Sequence, residues 1–181
     1  MTKLFGGHIS IVDLPPEFID VSKIRPVPDT QEVFIRETVP ETAELDEILI
    51  IDLLEQVAGE SFDDVMDEHL KDITDDPITC IEKMVYGRCQ RWFSYSLVEK
   101  GDSYVLILFG LLRLSMAATD VLIQYCIPMR DVDPATFNFE NEIGGGNLMV
   151  EQAYKIFRDI GESFMVDDWR LFGLPTAKLF N

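Results

Sequence analysis

Apolar and polar positions alternate from the first residues onward. Within residues 4–14, Ile9 and Ile11 alternate with His8 and Ser10, and Pro15-Pro16 ends the run, so a first strand is predicted there. Residues 17–30 read as a connector, because Pro26, Pro28 and Asp29 exclude a long helix. Gln31 to Ile35 predicts a short second strand. The period then changes. Leu45, Ile48, Leu49, Leu53 and Val57 fall at helical spacing, with Glu44, Asp46 and Glu47 placed to complement a helix dipole and Gly59 placed as a C-cap. A helix over 43–57 is the expectation.

The stretch 61–73 carries a second helical stripe, Phe62, Val65, Met66, His69, Leu70 and Ile73, closed by Thr74-Asp75-Asp76-Pro77. Strand periods follow over 79–86 and 89–98, with Glu99-Lys100-Gly101-Asp102 as a hairpin turn. Tyr104 to Leu114 and Asp120 to Ile127 are dense enough in apolar residues for central strands, the second closed by Pro128. Residues 129–146 read as a long loop ending in three glycines. A helix over about 147–162 and an apolar tail from Phe164 to Phe172 complete the chain. Strands outnumber helices, and several are joined by turns too short for parallel crossovers. The expected fold is α+β: an antiparallel sheet flanked by helices, in a single domain over 1–181.

Composition adds one asymmetry. The 181 residues hold 15 Lys and Arg against 33 Asp and Glu, a net charge of −18. Sixteen acids and one base, Lys71, lie between Glu37 and Glu82, so this strip carries −15 of the total. Nucleic acid and anionic membrane surfaces call for a basic face, which the chain lacks. Long-range electrostatics favour a basic protein partner. Cys80, Cys89 and Cys126 are odd in number and show no CxxC spacing, and no signal peptide is visible, so a cytosolic or nuclear protein is expected.

Chemistry-bearing patterns are sparse. His69 among Asp64, Asp67, Glu68 and Asp72 has the surroundings of a general base, but no nucleophile is recognisable beside it. Gly144-Gly145-Gly146 lacks the lysine and hydroxyl of a phosphate-binding loop. The cysteines and histidines have no zinc-like spacing, and neither a metal nor a cofactor is expected.

The connector carries a more specific pattern. Phe18 to Phe34, FIDVSKIRPVPDTQEVF, resembles the signature of the Mog family of nuclear-transport factors, and Leu4-Phe5-Gly6-Gly7 with Pro15-Pro16 looks like that family's opening. Ile50 to Glu55 looks like its first helix. Gly87-Arg88-Cys89-Gln90, Leu111 to Leu114, Thr119 to Ile123 and Phe164 to Phe172 are similar to further family segments. The resemblance implies a three-layer fold with an antiparallel sheet between helices, shared with the PsbP proteins. It also implies a strand over Glu68 to Ile73, against the helical stripe, leaving 61–66 for a helical turn. Its functional implication is binding of the Ran GTPase and release of its guanine nucleotide in support of nuclear import, without covalent chemistry, by a monomer of nucleus and cytoplasm. Asp29 and Glu32 match the family's acidic Ran-binding positions, and Asp20, Arg25 and Gln31 share the motif. The alternatives are a module for another basic protein on the same fold, and an enzyme built on His69.

Overall fold

The computed structural model describes residues 1–37, 46–59, 61–86, 89–130 and 132–175. Among these residues ten strands form two antiparallel sheets. The small one, in the order β1-β2-β10, joins β1 (Thr2–Leu4), β2 (Ile9–Ile11) and β10 (Met165–Val166). The large one runs β3-β4-β5-β9-β8-β7-β6, from β3 (Phe18–Asp20), β4 (Gln31–Arg36) and β5 (Glu47–Glu55) through β9 (Thr119–Met129), β8 (Ser103–Leu114) and β7 (Cys89–Lys100) to β6 (Thr79–Tyr86).

Side-chain alternation in β5, β9 and β8 divides this sheet into two apolar faces. Leu49, Ile51, Leu106, Leu108, Leu112, Val121, Ile123, Tyr125 and Ile127 point to one face. There they meet Val150, Ala153, Phe157 and Ile160 of the helix α3 (Leu148–Ser163). On the opposite face Ile107, Phe109, Leu111 and Leu122 meet Val65, Met66 and Leu70 of α1 (Phe62–Leu70). The expected three layers are therefore present. Close approach of α3 needs small residues. A Cβ on Gly110 would sit 3.2 Å from the Phe157 ring, and one on Gly161 would collide with Phe93.

The predicted helix over 43–57 is corrected, and with it the likeness of Ile50 to Glu55 to a first helix. Glu47–Glu55 is a strand, paired with β4 on one side and β9 on the other. A nearly unbroken apolar run satisfies helical and extended spacing alike. Ile48, Ile50 and Ile51 are β-branched and suit the pleated form, and partners are available on both edges. The first part of that predicted helix, 43–45, lies outside the described residues. At 61–73 the correction runs the other way. The helical stripe is real: Ser61 caps α1 by accepting from the Asp64 N–H at 3.2 Å, and the strand expected over 68–73 is absent.

Smaller differences have local causes. The first strand is broken into β1 and β2 by a turn over Phe5–Gly7, in which Phe5, Gly6 and Gly7 all have positive φ. Pro128 lies inside β9 because β9 has outrun β5 there and pairs only with β8. The second half of the predicted loop 129–146 winds into a helical turn, α2 (Phe139–Asn141), that continues through Gly146, while 132–138 are turn and loop as expected. Phe164 is buried, and the segment after it docks on β2 as the apolar tail predicts.

Candidate functional site

The connector and the strands beside it are held by a buried ionic knot. Glu47 accepts from Arg36 Nη2 at 2.6 Å and from the Tyr125 hydroxyl. Burial, with the Glu47 charge next in importance, pushes the Tyr125 phenol far above its ordinary range. The Arg36 guanidinium lies 5.4 Å from the centre of the Phe18 ring, which also packs against Tyr125. The entry to the connector is thus fixed against β4, β5 and β9.

From there the chain builds two turns. Asp20 caps the first, its Oδ1 accepting from Ser22 N–H at 2.9 Å and Ser22 Oγ at 2.6 Å. Ile24 and Arg25 donate their N–H groups to the Val21 carbonyl. Pro26 and Pro28 then lead into a second turn, closed by Gln31 N–H to the Pro28 carbonyl at 2.9 Å. Asp29 and Thr30 occupy its corner. The Thr30 carbonyl accepts from Leu53 N–H at 2.9 Å, which ties the corner to β5.

The five residues singled out from the sequence separate into three environments. Asp29 and Arg25 have exposed side chains with no partner among the described residues. Gln31 faces the α1 side of the sheet and donates through Nε2 to Asp52 Oδ2 at 2.7 Å. Glu32 and Asp20 face the opposite side. The Glu32 carboxylate accepts the Phe5 N–H, inside the turn of positive φ that Gly6 and Gly7 permit. Burial, opposed by that N–H and reinforced by the Asp20 charge, raises the Glu32 carboxyl above its ordinary pKa.

Asp52 belongs to this site, and the helical reading of 43–57 conceals it. In the strand it stands opposite Gln31. It is 9% exposed, and its Oδ1 has no hydrogen-bond partner among the described residues. A strand period for β5 is the signal that places it.

His69 has a structural setting. Its Nε2 lies 2.8 Å from Asp120 Oδ2, and both side chains are buried. Arg113 donates to Asp120 at 2.9 and 3.0 Å and to the carbonyls of Val57 and Gly59. Burial alone would raise the Asp120 carboxyl, but hydrogen bonds from His69 and Arg113 outweigh it and hold the carboxyl below its usual range. This cluster fastens α1 and residues 57–59 to the sheet. Among the described residues no group of three or more His, Cys, Asp or Glu side chains is arranged to hold a metal ion.

The turn built by the motif, at one edge of a three-layer antiparallel sheet, invites comparison with known proteins. A family model described as "Ran-interacting Mog1 protein" matches residues 2–128. The chain belongs to the Ran-interacting Mog1 family. It is 28% identical over 190 aligned residues to the nuclear import protein MOG1 of Saccharomyces cerevisiae, covering 94% of this chain and 83% of the relative. With the human Ran guanine nucleotide release factor it shares 35% identity over 149 residues, covering 71% of this chain and 75% of the relative. The crystal structure of the Saccharomyces cerevisiae Ran-binding protein Mog1p superposes with a TM-score of 0.69 at 26% identity, over 94% of this chain and 96% of that one. A Mog1 protein with a glutamate-to-alanine substitution gives the same TM-score. The Mog signature read in Phe18 to Phe34 is thereby that of the chain's own family.

Proposed function

We propose that this protein binds the Ran GTPase and promotes release of its guanine nucleotide, in support of nuclear protein import. The observation that carries the reading is the Asp29 turn. An exposed carboxylate stands on a corner stiffened by Pro26 and Pro28 and pinned to β5, in a chain whose family is described as Ran-interacting. Pre-ordering of this kind lowers the entropy cost of binding. Asp29 meets a lysine or arginine of the GTPase directly, Arg25 lies beside it on the rim, and Gln31 with Asp52 supplies polar contacts. Asp20 caps the first turn, Glu32 holds the Phe5–Gly7 turn against β4, and both contribute chiefly by position.

Release follows from linkage. A protein that binds nucleotide-free Ran more tightly than loaded Ran lowers the GTPase's affinity for nucleotide by the same factor. No bond of the protein is made or broken, and a monomer shuttling between nucleus and cytoplasm suffices. The test is a titration of the full chain against Ran loaded with GTP, loaded with GDP, or free of nucleotide. Affinity for one or more of these states that falls tenfold or more in Asp29→Ala is the expected result. Equal affinity of Asp29→Ala and the wild type removes Asp29 from the site. Retention of a different basic protein, with no affinity for Ran in any state, favours the module for another partner.

A further inference from the structure

The face of the large sheet that carries α1 is covered over only part of its width. Three cross-strand rows show where cover stops. The first reads Ile19, Ile35, Ile48, Cys126, Ile107 from β3 across to β8. The second reads Val33, Ile50, Gln124, Phe109, and the third Gln31, Asp52, Leu122, Leu111. Ile107, Phe109, Leu111 and Leu122 lie under α1 and are buried. On the β3–β5 wing no described residue covers the first two rows as α1 covers the others: Ile19 is 39% exposed and Ile48 37%, while Val33, Ile35 and Ile50 are half-buried. An apolar surface of this kind, continuous and in register with a core, is uncommon on a protein that has no partner.

Its borders are charged. Along one side runs α1, whose outer surface exposes Asp63, Asp64, Asp67 and Glu68, part of the acidic strip. At the two ends stand the exposed Asp29, before β4, and Asp46, before β5. An apolar centre with an acidic rim is complementary to an apolar patch ringed by lysine and arginine. A second copy of this chain is a poor fit, because each copy brings a net charge of −18.

We infer that the Ile19–Ile35–Ile48–Ile50 wing is the apolar contact for the Ran GTPase, bounded at one end by the direct Asp29 contact and along one side by α1 as its charged rim. The inference rests on the Ran-binding reading above. The connector motif then serves twice: its loop supplies Asp29 and Arg25, and its flanking strands supply Ile19, Val33 and Ile35. The acidic strip gains a role as well, steering a basic partner onto the bare wing. Buried apolar side chains near the middle of an interface carry most of its energy, and charges at the rim act mainly on association rate.

Two variants and one footprint test this. Ile48→Asp puts a charge at the centre of the wing without entering the α1 or α3 cores, and it is expected to weaken Ran binding about tenfold or more. Asp63→Lys with Asp67→Lys is expected to slow association several-fold and flatten its salt dependence while dissociation changes little. Should Ile48→Asp unfold, amide-exchange protection of β4 and β5 in the wild-type complex gives the same answer. Wild-type affinity in both variants, or no protection of β4 and β5 on Ran binding, overturns the inference and leaves Ran binding itself standing. A dimer that Ile48→Asp dissociates, with Ran affinity unchanged, assigns the wing to a second copy and also overturns it. Absence of Ran binding by the wild-type chain overturns both this inference and the reading beneath it.

Discussion

Two residues separate Asp29 from Glu32, and the backbone between them turns one carboxylate to solvent and the other onto the Phe5 amide. Their substitutions should therefore fail differently. Asp29→Ala is expected to leave the melting temperature unchanged and to reduce Ran affinity. Glu32→Ala leaves the Phe5 N–H without its acceptor, and a loss of about 1–3 kcal/mol of stability is expected, measured by urea unfolding. The pH dependence of Glu32 has a defined sign. Its carboxyl is raised in the folded chain, so the folded state holds the proton more tightly than the unfolded one. Stability should fall slightly as pH rises just above the ordinary glutamate range, and Glu32→Gln should remove that component. Sequence identifies both acids as motif members. It does not distinguish them, because that distinction depends on a turn of positive φ 27 residues upstream.

Among the elements, β5 and α1 show what periodicity resolves. Both carry helical stripes in sequence. In α1 the stripe is interrupted by acids that remain exposed, so only one face can be buried, and the helix forms. In β5 apolar residues occupy both faces, and the pairing partners, distant in sequence, decide the matter. The error at β5 also hides Asp52 and the exposed Ile48, since both are placed by strand alternation. The strands β7, β8 and β9 are legible because short turns join them and their alternation is long. The anchoring of α1 is a separate matter of chemistry. Asp120→Asn leaves Arg113 buried beside a neutral partner, and a loss of about 3–5 kcal/mol at neutral pH is expected in denaturant unfolding. The Asp120 carboxyl is held low in the folded chain. Its contribution is complete above the ordinary aspartate value and is lost as pH falls through the lower folded one, so the variant should show a flatter acid limb. On the opposite face, Gly161→Ala drives a methyl into Phe93, and a cost of about 1–3 kcal/mol is expected despite the gain in helix propensity.

At the scale of the molecule, charge and apolar surface are arranged on the same side of the sheet. Asp63, Asp64, Asp67 and Glu68 of the acidic strip are exposed on α1, which flanks the bare β3–β5 wing. A basic partner is then drawn to the side on which apolar contact is available. Association with Ran should slow steeply as salt is added, while dissociation stays nearly constant. The family assignment and the geometry meet in one claim: contact centred on the connector and its strands speeds nucleotide release from Ran. The measurement that bears on it most directly is the release of labelled nucleotide from Ran with increasing amounts of the full chain, alongside Asp29→Ala. A saturable acceleration by the wild type, largely lost in a variant that melts at the same temperature, is the predicted result. A release rate that stays at the spontaneous value at every concentration of the wild-type protein would contradict the account.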